Sequence, residues 1–254
     1  MHTSTSPLPL KRCLIAACVT AITFILLCLL LYIERFEILG REDGIAETIS
    51  ALANLVASVL FFLLFLKSKK AHNEIQPASG LGAWFWYLPL AALFFFIAGE
   101  EISWGQRIFE WSTPSWIEAH NVQDETTIHN LEIFNDMNRD HEFKPFFLLL
   151  FSMNRMYSLF WLSWCFFLPL TVSLSGKVRS IVAWFRVPIP RFLHGCLFLS
   201  TFITSKLFVI ILQPVESIVA NLDEVKEGFY AVIFLMVAWD FFKRWKQRDT
   251  DLPT

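Results

Sequence analysis

The sequence predicts an all-α polytopic membrane protein with six transmembrane helices and both termini in the cytoplasm. Three observations carry this. Of 254 residues, 55% are hydrophobic and 16% aromatic, while only 17% are charged, against about 25% in soluble domains. Six apolar runs reach the roughly 20 residues that a helix needs to cross a bilayer. Lysine and arginine alternate in density from one connection to the next, and that asymmetry orients a membrane protein. The chain reads as one integral membrane domain over 1–254. Its net charge of −2 and the lack of a basic stripe speak against a nucleic-acid partner; the lipid bilayer is the expected partner. Five cysteines lie in the apolar runs without metal-ligand or disulfide-framework spacing, as small apolar residues of helices do.

The first span, 13–33, has an apolar core too long for a cleaved signal peptide and no small-x-small site after it, so it reads as a retained anchor. The second, 45–66, follows Glu42, Asp43 and Glu47, acids that suit a helix N-terminus. The third, 83–101, follows a turn containing Pro77, Gly80 and Gly82. The fourth, 155–174, opens at Arg155, and the fifth, 192–213, follows the breaker Val187-Pro-Ile-Pro-Arg191. The sixth is 224–242. With these spans, thirteen Lys/Arg fall on the side holding Lys11, Lys67, Lys177 and Lys243, and six on the other. The loop 102–145 is then extracytoplasmic, and the expected location is a plasma membrane, the inner membrane in a bacterium, crossed several times.

Counting 1.5 Å per residue, five spans bring polar side chains to one layer, in the leaflet facing that loop. Seven carboxylates would meet there: Glu47, Glu100, Glu101, Glu125, Glu216, Glu224 and Glu227. Three fixed cations would meet them: Arg107, Arg155 and Lys206. Ionisable groups at that depth are costly and mark functional sites by default, although helix-end charges are also ordinarily solvated by headgroups and a lysine can snorkel. The densest segment is Gly99-Glu-Glu-Ile-Ser-Trp-Gly-Gln-Arg107. If the third helix continues through it, Glu100, Ser103 and Arg107 share one face, and Gly105 lets another backbone approach. Further on, Thr113-Pro114 reads as a helix start, with Trp116 and Ile117 at the membrane surface. In helical register Asn121, Glu125 and His129 share a face, with Asn130 beside it.

The candidate catalytic residues are therefore Glu100, Glu101, Glu125 and His129, and the candidate binding residues Gln106, Arg107, Asn121, Gln123, Asn130, Arg155, Lys206 and Glu227. Glu125 and His129 with Glu101 would give the three ligands of an open catalytic metal site, so a divalent metal ion is the cofactor this set would take. Without metal, the same Glu–His pair is an acid–base couple, with Ser103 as a nucleophile. A Glu–His pair at this spacing is more often a helix-surface ion pair.

Glu-Asp-Gly-Ile-Ala-Glu47, the Gly99–Arg107 motif, the segment Asn121-Val-Gln-Asp-Glu-Thr-Thr-Ile-His-Asn130 and the acid-rich start of the sixth span together resemble an uncharacterised group of bacterial polytopic inner-membrane proteins. The resemblance implies a multi-span architecture and a shared polar motif, and no activity. Three functions fit the residues: a membrane-embedded enzyme acting on a lipid or lipid-linked headgroup, a small-molecule or proton-coupled transporter, and a structural or assembly protein without chemistry.

Overall fold

A computed structural model describes residues 10–34, 44–75, 82–122, 125–135, 144–145 and 151–250. These form helices α1 (Leu10–Glu34), α2 (Ile45–Ile75), α3 (Trp84–Glu101), the short α4 (Gln106–Phe109) and α5 (Ser115–Glu118), then α6 (Met153–Trp161), α7 (Leu168–Leu174), α8 (Gly176–Trp184), α9 (Phe192–Leu212) and α10 (Glu216–Thr250). Among the described residues the only β pairing is one isolated bridge. The chain is all-α.

Four helical stretches are long and apolar enough to cross a membrane: Leu10–Tyr32, Ile45–Ala71, Met153–Leu174 and Phe192–Leu212. They match four of the six expected spans. The other two are helical: the third lies in α3 and the sixth within α10. Each carries charge into its apolar run, Glu100 and Glu101 in the last turn of α3, and Lys226, Glu227 and Asp240 in α10.

The core is aromatic. Phe94 and Phe234 lie 4.9 Å apart, Phe198 and Phe234 4.7 Å, and Trp161 stacks on Phe198 at 5.2 Å. With Phe61, stacked on Phe94 at 5.5 Å, these rings join α2, α3, α6, α9 and α10 into one cluster. Outward-facing Leu14, Val19, Ile22, Leu52, Val59, Ile203 and Ile210 are exposed, far more apolar surface than a water-soluble exterior carries.

Helix contacts depend on small groups and on carbonyls that accept hydroxyls. Ser58 donates to the Ala91 carbonyl (2.8 Å), tying α2 to α3, and Ser200 to that of Ala17 (2.7 Å), tying α9 to α1. Between α6 and α7 the helix widens into a π turn over Leu162–Phe167. Pro169 accounts for it: a proline has no N–H for the carbonyl four residues back, and its ring clashes with that carbonyl, here that of Cys165. The Cys165 carbonyl instead faces Gly195 of α9, where a Cβ would stand 2.4 Å from it.

At the end of α10 away from Glu227, Asp240 is buried and bridges Arg191 (2.8 Å) and Arg244 (3.2 Å). His194 is buried nearby. Each of these buried groups has charged neighbours to face.

Candidate functional site

α3 stops at Glu101, and the chain turns left-handed through Ser103 (φ 46°), Trp104 (φ 53°) and Gly105 (φ 81°) before α4 begins. The expected continuous helix, with Glu100, Ser103 and Arg107 on one face, does not form. Left-handed backbone costs about 1–2 kcal/mol for each residue with a Cβ, and the Trp104 ring offsets it. It folds back over α3, edge-on to Phe95 (6.2 Å) and Phe96 (5.6 Å). Its indole N–H donates to Glu100 Oε1. It also covers Gly99, where a Cβ would lie 2.8 Å from the ring. So Gly99, not only Gly105, is the glycine this turn requires.

Past α5 the described residues 119–122 and 125–135 are not helical. Pro114 is the cap of α5, and Ser115, not Pro114, is its first residue. Trp116 is exposed. Past α5 an isolated bridge pairs Asn121 with Leu131, with Val122 N–H donating to the Asn130 carbonyl (2.9 Å) and Glu132 N–H to that of His120 (2.8 Å). The expected helical register of Asn121, Glu125 and His129 is corrected accordingly.

Side-chain oxygens hold this loop in place of helical carbonyls. The Glu125 amide donates to Asn121 Oδ1 (3.4 Å), the Thr126 amide to Gln106 Oε1 (2.6 Å), and the Ile128 and His129 amides to Glu100 Oε2 (2.7 and 2.8 Å). Asn121 is fully buried and returns a bond to the Thr127 carbonyl (2.8 Å). Gln106 Nε2 donates to Thr113 Oγ1 (2.8 Å), and Ser103 Oγ to Glu125 Oε2 (3.1 Å). Asn130 is buried at the loop's neck. Glu100, Gln106 and Asn121 are thus engaged in shaping the loop. Backbone amides left without acceptors in such a place would be costly.

The Glu100 carboxylate, 5% exposed, also contacts His129 Nδ1 (3.1 Å). Its other three partners are all N–H donors, so Glu100 acts throughout as an acceptor, and His129 presents its proton on Nδ1. Nε2 is the ring nitrogen that Glu100 does not occupy. The His129 side chain is 40% exposed, and it acts electrostatically on Glu227.

Glu101 belongs to a different neighbourhood. The Ser50 hydroxyl is its hydrogen-bonding neighbour, and the charges acting on it most are Glu227, Glu224 and Glu47, all acidic. Tyr157 of α6 senses both Glu101 and Glu227. Carboxylates of α2, α3 and α10 therefore converge beneath the loop, and Glu227 with His129 joins the two neighbourhoods.

Glu101, Glu125 and His129 are not assembled as one ligand set: Glu125 is engaged by Ser103, His129 by Glu100, and Glu101 faces α2 and α10. Among the described residues no group of three or more His, Cys, Asp or Glu side chains could hold a metal ion. Lys206 is not brought to the cluster: it is exposed on α9, 6.0 Å above the Phe202 ring, because its aliphatic stem lies along an apolar helix face. Arg155 stands half-buried in the first turn of α6. The side chains of Arg107 and Glu216, and Gln123, Glu42 and Asp43, lie outside the described residues.

Sequence reasoning missed Ser50, Asn54 and Tyr230. A signal was present for two of them: Glu47, Ser50, Asn54 and Ser58 recur every three or four residues in an apolar run, which marks one helix face. No family model, curated protein or solved structure matches the chain.

Proposed function

We propose that this chain is a membrane-embedded enzyme that acts on a lipid or lipid-linked headgroup at the extracytoplasmic surface, with His129 as its acid–base group. Six spans, cytoplasmic termini and the loop 102–145 facing outward complete the reading, in a plasma membrane that is the inner one in a bacterium. The four apolar stretches, the helical state of 83–101 and 224–242, and the alternation of Lys and Arg support that topology. The resemblance to bacterial inner-membrane proteins agrees with it.

The observation that carries the activity is the Glu100–His129 contact. A carboxylate on Nδ1 fixes the ring's orientation and tautomer and stabilises the imidazolium that forms when Nε2 takes a proton. His129 Nε2 would accept a proton from an attacking water or hydroxyl and return it to the leaving oxygen. Exposed Trp111 and Trp116 belong to the same loop 102–145, residues suited to the headgroup layer where such a substrate lies.

The test is a comparison of lipid profiles from cells lacking the protein and complemented with wild type or with His129→Gln, at matched levels of membrane-inserted protein. Wild type is expected to change at least one headgroup species that His129→Gln leaves as in the empty cells. Identical profiles for the two would overturn the reading.

A further inference from the structure

Beneath Glu101, the face of α2 continues inward as Ser50 and Asn54, both buried. Asn54 is fully buried. Its Nδ2 donates to Ser50 Oγ (3.4 Å), while its Oδ1 has no hydrogen-bond partner. Tyr230 lies three residues from Glu227 on α10, on the same helix face, and senses the Glu227 charge. It is 2% exposed, and its hydroxyl too has no partner. Buried polar atoms in native structures are nearly always satisfied, so two orphaned oxygens next to converging carboxylates need an explanation. Each is an oxygen acceptor. Together with Glu101, Glu227 and Ser50 they make an all-oxygen set, without the thiolate or imidazole that transition metals favour.

We infer that Glu101, Ser50 and Asn54, supported by Glu227 and Tyr230, bind a hard monovalent cation of the sodium class at the junction of α2, α3 and α10. A cation supplies what each group lacks: charge for the carboxylates and a partner for the Asn54 and Tyr230 oxygens. Three of the five groups, Ser50, Asn54 and Tyr230, are neutral, which favours one charge over two. This site shares no residue with the Glu100–His129 pair, and its test does not involve catalysis.

The test is thermal unfolding of the full chain in detergent at fixed pH and ionic strength, with sodium titrated against choline. An ion that binds only the folded state raises the unfolding temperature with its concentration. Wild type is expected to show a saturable rise in sodium and none in choline. Asn54→Leu, which removes the orphaned oxygen while filling the space, is expected to lose the sodium response and to match or exceed wild type in choline. If Asn54→Leu does not fold, Ser50→Ala and the binding of radioactive sodium to wild type decide the matter. Equal behaviour of wild type in sodium and choline would overturn the site. So would a response to calcium or to pH alone, or a sodium response undiminished in either variant.

Discussion

Glu100 shows how one residue can be legible in the sequence while its work is not. Its place at the end of an apolar run flags it, and the motif points at His129 from 29 residues away. What the sequence does not reveal is that two backbone amides and an indole share the same carboxylate. That depends on the left-handed turn at Ser103–Gly105, which is set by the contact of Trp104 with Gly99 and not by any local propensity. Glu100→Gln keeps the shape but replaces a doubly accepting carboxylate with a group that has one acceptor oxygen. Hydrogen bonds to a charged group are worth about 1.5–3 kcal/mol, and 1.4 kcal/mol is about tenfold in an opening equilibrium. The Ile128 and His129 amides should therefore exchange with deuterium about 10–100-fold faster in Glu100→Gln, with α9 amides unchanged. Unchanged exchange at 128–129 would contradict the clamp.

At the scale of the element, apolar length locates helices well, because a buried helix needs little beyond an unbroken run. It locates ends and contacts poorly. Asn121, Glu125 and His129 have helix-like spacing, yet the amides of Glu125, Thr126, Ile128 and His129 donate to side chains of Asn121, Gln106 and Glu100 and not to helical carbonyls. Contacts between helices turn on glycines that spacing alone does not rank. Gly195 and Gly228 both stand in helices, where alanine is intrinsically better by about 1 kcal/mol. A Cβ at 195 would meet the Cys165 carbonyl oxygen at 2.4 Å, whereas at 228 it would meet the Ala46 oxygen at 3.2 Å. The first approach forces α9 off the π turn, and overpacking of this kind costs about 1–3 kcal/mol. The second is relieved by a shift of a few tenths of an ångström. Gly195→Ala is thus expected to lower the unfolding temperature clearly, and Gly228→Ala to be near neutral. The reverse order in a thermal melt would refute this account of the packing.

On the scale of the whole molecule, the bundle is polar at two ends and aromatic between them. One end gathers Glu47, Glu101, Glu224 and Glu227 under the loop; the other buries Asp240 between Arg191 and Arg244. From Glu227 to Asp240 is thirteen residues, about 20 Å along the helix, consistent with one long helix joining two faces. The acidic end was legible, because counting residues along each span places those carboxylates at one depth. Its membership was not: depth says nothing about azimuth, so Lys206 shares the layer but points away. What joins the loop histidine to the acids of α10 is the proximity of His129 to Glu227. Its most direct measurement is cross-linking of His129→Cys with Glu227→Cys by a short bifunctional thiol reagent, in protein freed of its five native cysteines and still in its membrane. An efficient intramolecular cross-link is expected for this pair and none for His129→Cys with Lys206→Cys. Equal yields for both pairs, or no cross-link for the first, would contradict it.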